Sequence, residues 1–369
     1  MFVKGKAMIY KKILISLVIL SLFNGCGKSS NTSSTPPTAS TPPQNEPYFK
    51  YLWHLDSSNS QLNSMGYTIN EDADINVLDA WNITKGSGVK VAIIDCELDI
   101  NHEDITSNII KSYNADTDTN DISNEVNIGT HGTICMGFIS SPANSKGIVG
   151  VAPEASLIAV KQCDFSDSKT IKAFEYAKEQ GAKVVSCSWG TGDVSQAVAY
   201  EIKSLYNAGI TVVFASGNEG TDFDKRFTYD ESELDWVIGV GGTSEENEVT
   251  YYSNYGSNID IVAPSGDMDE SVGLLGLDSF GNGNHQNGIV DSKYSFVEGT
   301  SFSAPIVAGV VALMYSVNPN ITPYKIRDIL INSADKIGDT TYDTNGFDIN
   351  KKRAYGKVNA SKALFEAMK

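Results

Sequence analysis

Short, continuously apolar segments rich in Val, Ile and Ala recur through most of the chain after residue 88. Stretches with helical periodicity separate them, and most of the segments do not alternate polar with apolar residues. A strand that is apolar along its whole length is typical of a parallel sheet covered by helices on both faces. The pattern therefore predicts an α/β fold with three layers, α/β/α, and a mostly parallel central sheet. The predicted strands are Val89–Asp95, Leu157–Lys161, Val184–Ser188, Thr211–Ala215, Trp236–Val240 and Ile259–Ala263.

The predicted helices lie between and after these strands. Thr170–Gln180 and Ser195–Ala208 are amphipathic, and each is followed by a glycine, the residue most common just beyond a helix end. Ala304–Tyr315 is apolar almost all round, which indicates a helix buried in the domain, and it is too short to span a bilayer. No internal repeat and no second linker divides residues 48–369, so we expect one domain there.

The first 25 residues differ in composition from the rest of the chain. Basic residues without any acid precede an apolar run, Ile13–Phe23, which suits the hydrophobic region of a secretory signal. The sequence Leu22-Phe23-Asn24-Gly25-Cys26 resembles a bacterial lipoprotein cleavage box, in which the cysteine becomes the lipidated first residue. We expect residues 1–25 to be a lipoprotein-type signal peptide. An ordinary signal peptide, or an anchor without cleavage, remains the alternative.

Cys26 is followed by a segment rich in Ser, Thr and Pro that extends to residue 47. These three residue types occupy 14 of positions 27–47. Such a composition buries too little apolar area to fold, and it predicts an extended tether over residues 26–47. The chain is thus expected to be extracytoplasmic and lipid-anchored to the bacterial cell membrane or outer membrane, with its folded domain over residues 48–369.

Charge and cysteine content exclude some classes of protein. The chain has 45 acidic and 28 basic residues, a net charge of −17, and nucleic acid is excluded as its main partner because phosphate binding needs a basic face. Five cysteines in 369 residues are too few for a disulfide scaffold. The four outside the signal region lie in or beside apolar segments, and we expect them to be small buried hydrophobes. They are Cys96, Cys135, Cys163 and Cys187.

Two polar residues mark the start of a possible catalytic site. Asp95 ends the first predicted strand, at the edge where α/β sheets place their sites. His131, within Gly129-Thr130-His131-Gly132-Thr133, begins an apolar segment with helical character. Taken singly, an Asp that begins a turn and a His that caps a helix explain these positions equally well.

A serine and an asparagine complete the set. Ser301 lies in Gly299-Thr300-Ser301-Phe302-Ser303-Ala304-Pro305, which leads into the buried helix, where free N–H groups favour developing negative charge. Pro305 fits the first turn, since the N–H that proline lacks would be unpaired there. Asn218 follows a predicted strand, and its side-chain amide could donate to an oxyanion.

These motifs resemble those of the subtilisin-like serine proteases, the subtilases of peptidase family S8. The resemblance rests on Ile94-Asp95-Cys96-Glu97-Leu98-Asp99, on Thr130-His131-Gly132-Thr133 and on the seven residues around Ser301. The chain order Asp, His, Ser is that family's order. The resemblance covers nearly all of residues 50–369 and implies a subtilisin-like fold.

The resemblance also implies a function, that of a serine endopeptidase hydrolysing extracytoplasmic proteins or peptides. Ser301 would be the nucleophile, His131 the base and Asp95 the residue that orients the imidazole. Asn218 and the Ser301 backbone N–H would form the oxyanion hole. No cofactor is expected for catalysis, and the protein is expected to be a monomer.

Substrate-binding residues follow from the same resemblance. Ser188, Trp189 and Gly190 look like the family's substrate-binding edge, which pairs with an extended peptide by strand addition. Gly217 and Glu219 flank Asn218 and are expected to border the same cleft.

A structural calcium site is a further implication of the resemblance. The side chains of Asp104 and Asn144, with the carbonyl groups of Pro142, Lys146 and Ile148, would supply the hard oxygen ligands that Ca²⁺ prefers. An ordinary loop explains the same residues equally well, so both interpretations stay open.

Two departures from the family pattern leave alternatives to be tested. Glu97 stands where the family usually has Gly, and we expect it not to affect the chemistry of the triad. The 21 residues between Cys26 and the domain leave no room for the family's folding pro-domain. A catalytically silent scaffold that binds partners at the cell surface is one alternative function. A maturation protease of narrow specificity is the other.

Overall fold

A seven-stranded sheet forms the centre of the computed structural model, which describes residues 43–122, 129–281, 290–338, 342–343, 345–348, 350 and 354–369. Its strand order is β2-β3-β1-β4-β5-β6-β7, and all six neighbouring pairs are parallel. The predicted α/β fold with a mostly parallel central sheet is confirmed. The strands are β1 (Lys90–Asp95), β2 (Ile109–Asn114), β3 (Ser156–Lys161), β4 (Val184–Cys187), β5 (Thr211–Ala215), β6 (Val237–Thr243) and β7 (Ile261–Pro264), followed by an antiparallel hairpin of β8 (Leu274–Leu277) and β9 (Tyr294–Val297).

Helices cover both faces of the sheet. Val91 and Ile93 of β1 belong to one apolar cluster, with residues of α2, α5 and α7, whereas Ala92 and Ile94 belong to a second cluster with residues of α3 and α4. Successive side chains of a strand point to opposite faces, so a strand buried on both sides is apolar throughout. The helices are α1 (Val77–Trp81), α2 (His131–Ser140), α3 (Asp167–Glu179), α4 (Gln196–Asn207), α5 (Thr300–Val317), α6 (Pro323–Ser333) and α7 (Ala360–Ala367).

Helix α5 runs through the core and begins earlier than the apolar pattern predicts. It covers 18 residues and is the one helix among the described residues that is long and apolar enough to cross a membrane; 83% of it is buried within the protein. Burial against five strands of the sheet accounts for its apolar surface. The sequence analysis placed Pro305 in the first turn of this helix. Because the helix begins at Thr300, Pro305 lies in its second turn.

Strand β2 and the segment before residue 48 are the main additions to the predicted elements. β2 is an edge strand whose central residues Lys111 and Ser112 face solvent in part, so it lacks the apolar run by which the other strands were found. Residues 43–47, which the composition assigned to the tether, are described here, and Pro43 and Glu46 are buried. Cys26 and the signal region lie outside the described residues.

The cysteine prediction was wrong for two of the four residues. Cys96 and Cys163 form a disulfide that joins the loop after β1 to the segment after β3. Their strands are neighbours in the sheet, with Asp95 opposite Lys161, so the two loops leave the same edge close together. Cys135 and Cys187 are free and buried, as expected.

Candidate active site

Asp95 and His131 meet at the carboxyl edge of the sheet. Asp95 is the last residue of β1 and is 3% exposed, and its Oδ1 accepts a hydrogen bond from His131 Nδ1 at 2.9 Å. Gly132 allows this approach, because a Cβ there would collide with the carbonyl oxygen of Cys96. The negative charge of Asp95 raises the pKa of His131 above its ordinary value, against the opposing effect of burial.

Ser301 lies in the first turn of α5, which packs against α2. The ring of His131 and that of Phe302 are 5.7 Å apart, so this packing brings the histidine beside the start of α5. The Ser301 hydroxyl donates to the carbonyl oxygen of Ser188 at 3.2 Å. In this structure the hydroxyl is therefore turned toward β4, and a rotation about χ1 is needed to direct it elsewhere.

The backbone carbonyl of Ser301 has an unusual set of partners. In an α-helix it would accept from the N–H four residues later, which is Pro305 and has no N–H. The hydroxyl of Ser188 donates to it at 2.6 Å instead, and the thiol of Cys135 lies 3.4 Å away. Ser188 thus exchanges two hydrogen bonds with Ser301 and holds the start of α5 against the end of β4. Sequence reasoning had assigned Ser188 only to the substrate edge.

Asn218 is exposed after β5 and is held by a residue that the sequence analysis did not single out. Its side-chain oxygen accepts from the backbone N–H and from the hydroxyl of Thr300, each at 2.9 Å. These two bonds fix which end of the amide is the oxygen, so that Nδ2 remains available as a donor. Thr300 precedes Ser301 in the seven-residue motif, and that adjacency was the available signal.

The predicted substrate residues line one cavity, which we call the Ser301 pocket. Its volume is about 440 Å³, and its lining includes Ser301, Asn218, residues 188–192 and residues 215–219. Ser188, Trp189, Gly190, Gly217 and Glu219 are all part of this lining. The indole of Trp189 donates to the carbonyl of Ile94 at 2.8 Å and so ties the segment after β4 to β1.

Glu97 contacts the histidine, although the sequence analysis expected it to have no effect on the chemistry of the triad. Its backbone has φ of +59°, in the left-handed region, and its carboxylate accepts from the backbone N–H of His131 at 3.1 Å. The side chain occupies space that Gly129 leaves free for lack of a Cβ. The Glu97 charge adds to that of Asp95 in raising the pKa of His131.

Cys135 lies one turn along α2 from His131. Its sulfur, a ring nitrogen of His131 and an oxygen of Asp95 lie within 4.8 Å of one another. The thiol is buried, and burial raises its pKa well above the ordinary value, so it stays protonated and is a poor nucleophile.

The predicted calcium residues form a separate, acidic cluster. Asp104 is fully buried; its Oδ2 accepts from the N–H of Ile148 at 2.9 Å and from the hydroxyl of Tyr294 at 3.2 Å. Its Oδ1 is buried without a hydrogen bond of normal geometry to any described residue, although Asn144 lies near enough to favour its charged form. Burial raises the pKa of Asp104 to about 7, and the nearby Glu46 adds to this. Pro142 and Lys146 lie in the same loop, before Ile148.

Glu46 is the member of this cluster that sequence reasoning missed, because it lies in the segment assigned to the tether. Its two carboxylate oxygens accept from the N–H groups of Ser145 and Lys146, at 2.8 and 3.0 Å. Burial raises its pKa. Two buried carboxylates and an oxygen without a partner are what a cation would satisfy, so the residues present fit a calcium ion.

Comparisons with known proteins agree with this architecture. The model of the subtilase family matches residues 86–358. Thermitase of Thermoactinomyces vulgaris is 33% identical over 291 residues, which are 77% of this chain and 91% of thermitase. A calcium-dependent protease of Trichormus variabilis is 31% identical over 350 residues, 86% of this chain but only 51% of that longer protein.

A solved structure shows the same fold. A protease from Pseudoalteromonas arctica PAMC 21717 superimposes with a TM-score of 0.70 at 26% sequence identity, and the match covers 88% of this chain and 99% of that one. The match to the family model spans the whole sheet and the residues at its carboxyl edge, including Ser301. The chain therefore belongs to the subtilase family of serine-type endopeptidases.

Proposed function

We propose that the chain hydrolyses peptide bonds with Ser301 as nucleophile, His131 as general base and Asp95 as the residue that orients the imidazole. The observation that carries this proposal is the 2.9 Å hydrogen bond from His131 Nδ1 to the buried Asp95, beside the start of α5. This bond leaves Nε2 as the basic nitrogen, which is the tautomer that a base for serine needs.

The reaction begins when the Ser301 hydroxyl rotates from the Ser188 carbonyl toward His131. His131 takes the proton as Oγ attacks the scissile carbonyl carbon, and Asp95 stabilises the imidazolium that forms. The carbonyl oxygen becomes an oxyanion, for which Asn218 Nδ2 and the Ser301 N–H are the donors. His131 then protonates the leaving amine, and water hydrolyses the acyl-enzyme by the same steps.

Substrate backbone would lie along the segment after β4. Ser188, Trp189 and Gly190 follow the strand without a further strand bonded to that stretch, and they line the Ser301 pocket. An extended peptide can add to such a segment through main-chain hydrogen bonds. Proteins or peptides are therefore the proposed substrates.

Labelling with a fluorophosphonate probe tests the proposal against the silent-scaffold alternative. The wild-type protein should become covalently labelled at Ser301, whereas Ser301→Ala should not, at equal folded content by circular dichroism. A folded wild-type protein that neither reacts with the probe nor cleaves a casein substrate would contradict the proposed hydrolase. Such a result would favour a binding protein.

We further propose that Glu46 and Asp104 hold a structural Ca²⁺, together with Asn144 and carbonyl groups of the 142–148 loop. The ion would neutralise two buried carboxylates, and the similarity to the calcium-dependent protease of Trichormus variabilis supports this assignment. Chelation by EGTA should lower the Tm of the wild-type protein and not that of the Asp104→Asn variant. Glu103→Gln, an exposed neighbour, should keep the wild-type response. An unchanged Tm of the wild-type protein in EGTA would contradict the proposed calcium site.

We propose that the protein is lipid-anchored outside the cytoplasm through Cys26, on the strength of the signal-like residues 1–25 and the cleavage box. Growth with an alkyne-tagged fatty acid should label the wild-type protein, and Cys26→Ala should abolish the label. Recovery of the unlabelled wild-type protein in the soluble fraction would contradict the anchor.

A further inference from the structure

The Ser301 pocket has a defined place relative to the reacting bond. A scissile carbonyl has to reach Ser301 while its oxygen faces Asn218, and both residues border the pocket. The substrate group nearest the pocket is therefore the side chain of the residue that carries this carbonyl, the P1 residue. Side-chain preference at P1 thus depends on the charges and shape of this cavity.

Asp230 places a buried negative charge in the pocket lining. It is 5% exposed, and its carboxylate accepts from the N–H of Gly192 at 3.0 Å and from the N–H and hydroxyl of Ser232 at 3.1 and 2.9 Å. All three donors are neutral, so they orient the carboxylate without cancelling its charge. Among the described residues, no cationic side chain forms an ion pair with it.

Gly190 brings the substrate-binding segment close to this carboxylate. A Cβ at Gly190 would lie 2.6 Å from Asp230 Oδ2, a distance that real Cβ atoms do not adopt. The absence of a side chain therefore permits Asp230 to lie against the main chain at which the substrate is proposed to bind. A P1 side chain that enters the pocket would meet this carboxylate at short range.

Glu219 adds a second negative charge to the pocket lining. It is exposed next to Asn218, and its Oε2 accepts from the side-chain amide of Asn254 at 2.6 Å. This donor is also neutral. The charge is more open to solvent than that of Asp230, so its attraction for a ligand is weaker and depends on salt.

The one cation in the described pocket lining is already compensated. The Arg226 guanidinium lies over the Phe223 ring, with its central carbon 3.6 Å from the ring centre, and its Nη2 donates to Glu233 at 2.7 Å. Glu233 is itself nearly buried, and its negative charge balances the positive charge of Arg226. The pocket is left with the charges of Asp230 and Glu219.

We infer that the Ser301 pocket selects substrates with arginine or lysine at P1, and that Asp230 is the residue that determines this preference. The inference rests on the peptidase function proposed above and deepens it. A cationic side chain would gain charge-assisted hydrogen bonds that a neutral one cannot make, and an acidic one would be repelled.

Peptide substrates that differ only at P1 test the inference on the wild-type protein. We expect kcat/KM for Arg and Lys to exceed that for Phe and Leu by about tenfold or more, since hydrogen bonds to charged groups are worth that much. Equal rates for Arg and Phe, or a preference for apolar P1, would overturn it. A preference for Glu would show that Arg226 governs the pocket, and this too would overturn it.

Variants that each remove one negative charge test whether Asp230 determines the P1 preference. Asp230→Asn should lower the Arg-to-Phe ratio of kcat/KM by about tenfold, and Glu219→Gln by less, with an effect that fades at high salt. Asp193→Asn is the matched control, because it removes the same charge from a nearby exposed residue outside the pocket lining, and its ratio should equal that of wild type. A wild-type ratio in Asp230→Asn would refute the role of Asp230. If that variant does not fold, the wild-type profile and Glu219→Gln still decide the pocket's preference.

The two proposals fail in different ways. A protein that does not react with the fluorophosphonate probe and cleaves none of the peptides contradicts the hydrolase itself. A protein that reacts with the probe and cleaves peptides without a basic preference keeps the hydrolase and loses only the inference about P1.

Discussion

The orientation of the Asn218 side chain depends on one neighbour, Thr300. The two hydrogen bonds from Thr300 to its oxygen leave Nδ2 available as a donor, and this is the arrangement that an oxyanion requires. In the proposed mechanism the amide acts on charge that develops only in the transition state, so its loss should reduce kcat and leave KM nearly unchanged.

Asn218→Ala is expected to lower kcat by about 10²–10³-fold. Steady-state kinetics on a peptide substrate measure this, with circular dichroism as the check on folding. Thr300→Ser keeps both donors and is the matched control, with kcat close to wild type. A large rise in KM with unchanged kcat in Asn218→Ala would mean that the amide binds ground-state substrate instead.

The effect of the Glu97 charge on His131 can be tested through the pH dependence of activity. Its charge, like the larger effect of Asp95, raises the pKa of His131. The proposed base works only when it is neutral, so a raised pKa moves the acidic limb of kcat/KM to higher pH. Removal of the Glu97 charge should move that limb back to lower pH.

Glu97→Gln should shift the acidic limb of the kcat/KM profile to lower pH, by less than the removal of the Asp95 charge would, because Glu97 has the smaller effect on the pKa of His131. The glutamine oxygen can still accept from the His131 N–H, so the change isolates charge from hydrogen bonding. Glu175→Gln, an exposed residue on α3, should leave the profile unchanged. An unshifted limb in Glu97→Gln would show that its carboxylate has no electrostatic effect on His131.

At the scale of elements, the sheet was predictable and the contacts between loops were not. β1 and β3 to β7 are covered on both faces, so each appears in the sequence as a continuous, mainly apolar run. β2, at the edge of the sheet, and the hairpin β8–β9 lack a long continuous apolar run of this kind. The Cys96–Cys163 pairing depends on the adjacency of β1 and β3, whose last aligned pair, Asp95 and Lys161, is 66 positions apart in the sequence. This adjacency follows from the strand order of the sheet, which the apolar pattern does not reveal.

The disulfide is the element-scale feature with the clearest expected effect. It closes a loop between residues 67 positions apart, and it joins the loop after β1 to the segment after β3. A cross-link across a long loop stabilises a protein chiefly by restricting the unfolded chain, typically by about 2–4 kcal/mol.

The double variant Cys96→Ser/Cys163→Ser is expected to lose about 2–4 kcal/mol of unfolding free energy, as measured by denaturant titration. Wild-type protein in reductant should lose a similar amount, and the variant should not respond to reductant. Equal stability of oxidised wild type and variant would mean that the disulfide does not stabilise the fold.

At the scale of the whole molecule, the segment before β1 packs onto the helical layer that carries the site. Trp53 donates to the carbonyl of Gly273 at 3.0 Å and Trp81 to that of Val151 at 2.9 Å. His54, between them in the sequence, is 1% exposed against Phe138 of α2, and neither ring nitrogen has a hydrogen-bond partner among the described residues. Burial lowers the pKa of His54 to about 3.

This histidine gives global stability a dependence on pH. In the unfolded chain it takes up a proton near pH 6.5, whereas in the folded protein it stays neutral down to about pH 3. The unfolded state therefore binds more protons below pH 6.5, and stability falls as the pH falls through that range. At pH 5 the contribution lost is about 2 kcal/mol.

His54→Phe tests this by comparing the unfolding free energy at pH 7.5 and at pH 5 in both proteins. The wild-type protein should lose about 2 kcal/mol more than the variant on going to pH 5. The difference between the two proteins removes the effects of carboxyl groups, which are common to both. An equal loss in the two proteins would show that His54 does not govern the acid response.

The sequence by itself determined which residues are the candidates for catalysis and which segments form most of the sheet. Asp95, His131, Asn218 and Ser301 stand in motifs of characteristic order, and continuous apolar runs record burial on both faces of a strand. Periodicity reports that a residue is buried and does not report what it touches.

Only the tertiary structure decided the partners of these residues. Thr300 on the Asn218 oxygen, Glu97 on the His131 N–H and Ser188 on the carbonyl that Pro305 leaves free are contacts between separate elements. Asp230 reaches the Ser301 pocket because Gly190 has no side chain. Each of these contacts depends on the packing of elements distant in sequence, and for that reason no local pattern of residues could predict it.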